Sequence, residues 1–303
     1  MKVNNCYLCN SDKYKTLYIK NTFTIVQCSN CEFIYVLKKL DKSIIEKYYN
    51  NFDYKSIVKA EKAIKKDARR SCSVLDKFIS NRSNLFDIGC GRGFFLEEAQ
   101  KRGWTVAGID SSTSMARYAK EELHLNVECG DIMSYESKNK YDLVTLHQVV
   151  EHFDDPISLL KTCYKLLNKG GYVYIATPNI NSLSSRVQKK NFDHLIPPEH
   201  LSYFSRGTLK MALEKAGFQL IYSGSWSYHA DLGGIIKTLM SKQPLKYKEG
   251  KSADNLPNSK DFRTSLVKKV KSFLFDSLFC QFLYPILNFN SWGTNLEIIA
   301  QKP

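Results

Sequence analysis

No apolar run in this 303-residue chain reaches the length of a membrane span. The opening residues Met1-Lys2-Val3-Asn4-Asn5-Cys6 contain no apolar core of the kind a secretory signal needs, so a cytoplasmic protein is expected. There is no arginine-rich block. The lysines are dispersed, as in Lys38-Lys39, Lys65-Lys66, Lys189-Lys190 and Lys268-Lys269. The formal charge of +14 is therefore not gathered into the basic stripe of a dedicated nucleic-acid binder. It allows an RNA partner and suits equally the attraction of an anionic small molecule. The cysteines number nine, which excludes a complete set of internal disulfides. What remains is a chain with 43% hydrophobic residues, long enough for one large α/β domain and a small appendage.

Four of the cysteines form Cys6-x2-Cys9 and Cys28-x2-Cys31, with eighteen residues between the pairs. This is zinc-ribbon spacing, in which two tight knuckles present four thiolates to one tetrahedral ion. Such a closed site has no open coordination position, so the expected Zn2+ is structural and folds residues 1–37 as a zinc ribbon. Its strands are expected at Ile25–Gln27 and Phe33–Leu37. Cys72, Cys90, Cys129, Cys163 and Cys280 read as small apolar residues.

Residues 38–80 carry apolar positions at three- and four-residue spacing, which predicts a helical connector. Its tyrosines Tyr48, Tyr49 and Tyr54 are packing residues that stand within possible reach of a site. From residue 81 onward, short apolar runs alternate with helical patterns. Strands are expected at Asn84–Ile88, Thr105–Asp110, Asn126–Cys129, Tyr141–His147, Gly171–Ala176, Phe218–Gly224 and Leu296–Ala300. Helices are expected near Phe94–Arg102, Ser114–Leu123, Pro156–Leu167 and Ser205–Ala216, closed by Gly103, Gly170-Gly171 and Gly217. This alternation predicts an α/β fold built on a doubly wound, mostly parallel sheet, with ligands at the carboxyl ends of the strands. Residues 225–293 lose the pattern and read as an irregular or helical insertion. Within it, 264–285 carries an apolar stripe with lysines near its start, a helix docked on the domain or one lying on a membrane surface.

The first strand runs directly into Asp87-Ile88-Gly89-Cys90-Gly91-Arg92-Gly93. Glycines at alternate positions let a ligand lie on the backbone, and the following helix N-terminus offers free N–H groups. The spacing is not the G-x-G-x-x-G of dinucleotide folds, which disfavours a hydride-transferring dehydrogenase. The second strand ends in Asp110, an acceptor suited to a ribose diol. At these residues the chain resembles the class I S-adenosylmethionine-dependent methyltransferases. The resemblance implies a seven-stranded, Rossmann-like sheet whose last strand inserts antiparallel. It implies that Asp87, Gly89, Gly91, Gly93, Asp110, Asp131, Ile132 and His147 bind the cofactor. In that set Asp110 takes the ribose, Asp131 takes the adenine amino group, and Ile132 packs on the ring.

Two further segments belong to this resemblance. His147-Gln148-Val149-Val150-Glu151-His152-Phe153-Asp154-Asp155-Pro156 is similar to the E-H-x-x-D-P stretch of small-molecule methyltransferases, ubiquinone-pathway O-methyltransferases among them. Those enzymes carry an acid where this chain has Gln148, which argues against a divalent-metal site and a quinone-precursor acceptor. Pro198-Glu199-His200-Leu201-Ser202-Tyr203-Phe204-Ser205 resembles a segment of sugar and surface-polysaccharide methyltransferases. His152 and His200 are the candidate general bases, with Glu151 beside them, because imidazole titrates in the useful range. The acceptor expected is a small molecule, a nucleotide sugar or glycan precursor. The alternatives are a zinc-ribbon RNA methyltransferase and a non-catalytic scaffold that keeps the cofactor site.

Overall fold

A computed structural model of the protein describes residues 5–37, 55–227 and 291–303. The expected positions Tyr48, Tyr49 and Tyr54, Cys280, and the apolar stripe at 264–285 lie outside the described residues.

The amino-terminal part is a small antiparallel sheet. Strand β1 (Tyr14–Lys20) turns into β2 (Phe23–Cys28), which pairs with β3 (Ile34–Val36). Sequence reasoning missed β1. Its signal lies in Asn21-Thr22, both at positive φ (50° and 68°), the backbone that a two-residue hairpin turn demands. The order of this sheet is β1-β2-β3-β9, and its fourth strand, β9 (Ser202–Tyr203), comes from much later in the chain.

Helix α1 (Lys55–Phe78) leads into the large sheet. The strands are β4 (Asn84–Ile88), β5 (Thr105–Asp110), β6 (Val127–Cys129), β7 (Tyr141–His147), β8 (Leu167–Pro178), β10 (Gln219–Trp226) and β11 (Asn295–Gln301). Their order is β10-β11-β8-β7-β4-β5-β6. The core pairs are parallel, and β11 runs antiparallel between β8 and β10. This is the expected doubly wound, seven-stranded arrangement.

Alternation along the strands supplies both faces. Leu85, Leu143, Tyr174 and Ile299 point toward α1, α2 (Phe94–Lys101) and α3 (Thr113–Glu121). Phe86, Val144, Ile175 and Ile298 point toward α4 (Pro156–Leu166) and α6 (Arg206–Lys215); a short α5 (Leu183–Gln188) lies between these two helices in sequence. The helices start where side-chain oxygens take orphan N–H groups. Ser112 accepts from Met115, Asp155 from Ser158, and Ser205 from Thr208 in a reciprocal capping box.

One expected helix end moves. Gly170-Gly171 does not close α4, which stops at Leu166. The two glycines lie inside β8, where pairing with β7 jumps from Tyr141↔Leu167 to Leu143↔Tyr172. Gly170 absorbs that bulge at φ +78°.

Candidate functional site

The carboxyl ends of β4, β5, β6 and β7 meet at the glycine loop. Gly89, Gly91 and Gly93 all have positive φ, but for different reasons. A Cβ on Gly89 would lie 2.6 Å from Val149 Cγ2, and one on Gly93 would lie 2.6 Å from Leu125 Cδ1. Only at Gly91 would it meet nothing within 4 Å. Gly89 and Gly93 are thus required by packing behind the loop, and Gly91 presents bare backbone to open space.

Asp110 fastens this loop. Its Oδ2 accepts the Gly91 N–H (2.7 Å) and its Oδ1 accepts the Ser112 N–H (2.8 Å). Each oxygen keeps a lone pair for a ligand hydroxyl. Burial raises its carboxyl above the ordinary value, and the two N–H donors partly offset this. Asp87 lies beneath the loop and accepts the Thr145 hydroxyl at 2.6 Å. Burial, opposed by that hydrogen bond and aided by the charge of Asp110, pushes Asp87 up to about 8. Asp131 is exposed just past β6, and its Oδ1 caps the Ile132–Ser134 turn by accepting the Met133 N–H. Ile132 is buried beside it. His147 is wedged between Phe95 (4.1 Å) and Tyr174 (5.0 Å), and its Nε2 is buried without a hydrogen-bond partner. Burial and the neighbouring Arg70 lower it to about 3.

Sequence reasoning missed Arg92. Its guanidinium lies 3.5 Å from the Tyr118 ring centre and pairs with Glu61 of α1 at 3.3 Å. The variable position between two loop glycines carries no motif signal that would have flagged it.

The second centre joins two loops. A short turn, Val150–His152, follows β7, and residues 194–204 cross over it. His152 Nδ1 meets the Glu199 carbonyl at 2.9 Å, and His200 Nδ1 meets the His194 carbonyl at 2.8 Å. Each contact makes Nδ1 the protonated nitrogen and leaves the lone pair on Nε2. The rings stand edge to face, 4.9 Å apart. Glu151 is fully buried; its Oε2 accepts the Thr177 hydroxyl at 2.9 Å, and its Oε1 has no hydrogen-bond partner. One polar atom from each of Glu151, His152 and His200 falls within a 4.8 Å span, close enough to share a proton or a cation. Burial, reinforced by His152 and His194, holds His200 well below the usual imidazole range. Burial raises Glu151.

The four cysteines expected to act together do come together. Cys6 Sγ lies 3.5 Å from Cys31 Sγ, and Cys9 Sγ lies 3.4 Å from Cys28 Sγ. All four sulfurs fall within 4.8 Å of one another. A tetrahedral ion with Zn–S bonds of about 2.3 Å needs sulfurs about 3.8 Å apart, so the donor set fits. The two knuckles share one build. Asn10 N–H closes on the Cys6 carbonyl and Glu32 N–H on the Cys28 carbonyl. Each of these residues follows its second cysteine at positive φ (59° and 61°). Burial takes Cys6 up to about 11. At Cys9 burial is outweighed by hydrogen bonding from Asn30, the Ser11 backbone and the other thiols, and its pKa falls to about 7. The buried Tyr35 hydroxyl has no hydrogen-bond partner and feels the charges of Cys6, Cys28 and Cys31. That is a donor suited to a metal-bound thiolate.

Comparison with known proteins agrees with this architecture. A Coxiella burnetii ubiquinone biosynthesis O-methyltransferase is 28% identical over 158 residues, covering 48% of this chain and 68% of that protein. The Acinetobacter baylyi enzyme of the same name is 36% identical over 108 residues, 33% of this chain and 45% of its own. A solved SAM-dependent methyltransferase from Archaeoglobus fulgidus superposes with a TM-score of 0.53 at 24% identity, covering 82% of this chain and 100% of that one. A Thermotoga maritima structure, described as a possible histamine N-methyltransferase, gives 0.52 at 18% identity, covering 87% and 100%. These two likenesses concern the fold. The methyltransferase-domain family model matches residues 61–223, more than half of the chain. It takes in the glycine loop, Asp110 and the Glu151–His152–His200 centre, and on that match the chain belongs to the methyltransferase-domain family and is an S-adenosylmethionine-dependent methyltransferase.

Proposed function

We propose that this enzyme methylates a small-molecule acceptor, a sugar or glycan precursor, with His200 as general base, and that Cys6, Cys9, Cys28 and Cys31 hold a structural zinc ion. The observation that carries the base assignment is the convergence of His200, His152 and Glu151 behind fixed tautomers. When bound, S-adenosylmethionine supplies a methyl group on sulfonium, already joined to a good leaving group. The work left to the protein is alignment and proton removal.

Gly91 and Asp110 hold the cofactor end of the site, and Asp87 and Asp131 flank it. His200 Nε2 receives the acceptor's proton. The imidazolium charge then forms within the cluster that His200 shares with the buried Glu151 carboxyl group. His152 packs edge-on and fixes the His200 ring. This reading expects turnover without added divalent cation.

The sugar-type acceptor is supported by the Pro198-Glu199-His200 segment and the cysteine ribbon. Gln148, at φ +55°, donates its amide to Asn295 Oδ1 at 3.4 Å and brings no acid to the site. The ubiquinone acceptor named for the relatives is therefore not carried over. The test is labelled-methyl transfer into a cell extract, with the His152→Ala, His200→Ala double variant as control. Label in nucleotide-sugar or glycan fractions, lost with the variant, is the expected result. Label released only by ribonuclease would overturn it in favour of an RNA acceptor, which the charge of +14 would then explain.

A further inference from the structure

The ribbon's sheet is completed by the loop that carries His200. Ile34 pairs with Tyr203 and Tyr35 with Ser202. The Val36 N–H donates to the Leu201 carbonyl at 2.9 Å, and the Leu201 N–H donates to the Glu151 carbonyl at 2.8 Å. The Ser202 hydroxyl donates to the Phe153 carbonyl at 2.7 Å, and the Tyr203 hydroxyl to the His200 carbonyl at 2.8 Å. Side chains add to this ladder. Phe33 meets Phe204 at 5.4 Å, Asn21 donates to the Pro197 carbonyl, and the Tyr7 hydroxyl reaches Asp154. Cys28 ends β2, and Cys31 stands three residues before β3 begins. The cysteine knuckle thus fixes the strand on which the 199–204 loop is laid. The hydrogen bonds named here fall on residues 151–154 and 197–203. The cofactor loop is fastened from elsewhere, by Asp110 on β5 and Glu61 on α1.

We propose that the cysteine-bound ion is a positioning element of the acceptor site: through the β3–β9 pairing it sets where His200 stands relative to Glu151 and His152, while the cofactor loop takes its hydrogen bond and ion pair from Asp110 and Glu61. The proposal rests on the zinc and base assignments made above. It gives the ribbon a place in turnover beyond closing its own fold, and it makes Val36, which donates to the residue next to His200, a positioning residue.

The test uses the intact 303-residue chain and begins with its zinc content. Protein that purifies free of metal, with no affinity for Zn2+ or Co2+, would remove the zinc assignment itself. Where the ion is present, it is withdrawn by chelation and restored. Four quantities are followed: S-adenosylmethionine affinity by calorimetry, turnover of the methyl acceptor, thiolate-to-cobalt absorption, and amide exchange of residues 150–154 and 199–204. The expected result is unchanged cofactor affinity, turnover lower by about a hundredfold in keeping with loss of a positioned base, faster exchange of the Leu201 amide, and recovery with Zn2+ or Co2+. The companion variant Val36→Pro deletes the donor to Leu201 and leaves all four cysteines. It is expected to keep the cobalt thiolate spectrum and cofactor affinity while losing turnover at least tenfold. Full turnover in zinc-free enzyme would overturn the proposal. So would parallel loss of cofactor binding and turnover, which would make the ribbon a support of the whole fold. Should Val36→Pro fail to fold, the chelation series decides alone.

Discussion

Gly91 and Gly93 stand two residues apart in one loop, share the same backbone hand, and should fail differently. Gly93→Ala drives a methyl group into Leu125 and Ala119. It should cost on the order of 2–4 kcal/mol and lower the melting temperature. Gly91→Ala meets no protein atom. It should cost about 1 kcal/mol from its φ alone and act mainly on cofactor affinity, read by calorimetry. Asp110→Ala should weaken cofactor binding tenfold or more, because a hydrogen bond to a charged group is worth about 1.5–3 kcal/mol. An unchanged titration would remove Asp110 from the site. Asp87 makes a pH prediction. Its folded-state pKa of about 8 lies above the ordinary 3.8, so the native protein holds a proton that the unfolded chain releases. Stability should fall as pH rises from about 4 to about 8, and Asp87→Asn should flatten that slope in melting curves taken across the range. At His200 burial favours the neutral ring. The acid limb of kcat/KM should therefore lie below the usual imidazole value of about 6.5.

At the scale of elements, α1 is held at several points, among them two ion pairs and the Arg102 contact with Asp76. Glu61 pairs with Arg92 of the cofactor loop, and Arg70 pairs with the buried Glu297 of β11 at 2.9 Å. Tyr174 also donates to Glu297, at 2.6 Å, and Arg70 lies 3.9 Å from the Trp226 ring centre. Arg70→Met leaves Glu297 buried without its cation and should cost on the order of 3 kcal/mol in denaturant unfolding. Adding Glu297→Leu should recover much of that loss. None of this was legible in the sequence, since Arg70 and Glu297 sit in ordinary surface-like patterns and meet only through the sheet. The strands were legible because a strand buried on both faces is a short apolar run, as Asn84–Ile88 and Tyr141–His147 are. The glycine loop and the cysteine pairs were legible because their chemistry is local and spacing carries it. The approach of His200 to His152, and of β9 to β3, depends on long-range pairing that spacing does not encode. Gly170-Gly171 misled because a glycine pair looks the same whether it ends a helix or absorbs a bulge.

At the scale of the molecule, two sheets share one chain in an order that differs from the order of synthesis. No described helix is long and apolar enough to cross a membrane. The amino-terminal part and the α4–α6 face contribute to one continuous apolar cluster, from Leu8 and Phe33 through Phe204 to Leu160 and Ile298. Removing residues 5–37 should therefore expose apolar surface on the rest of the protein, measurable as dye binding and aggregation of the truncated protein.

The antiparallel strand β11 has a consequence for how the chain becomes a protein. Within the large sheet β10 touches only β11, and β8 keeps a bare edge until β11 arrives. While residues 295–301 are still inside the ribosome, β8 displays an apolar edge with unmet backbone donors, and β10 has no place to attach. The nascent chain is at its stickiest just before β11 emerges, and a ribosome stalled shortly before Asn295 would display a template for pairing with other chains.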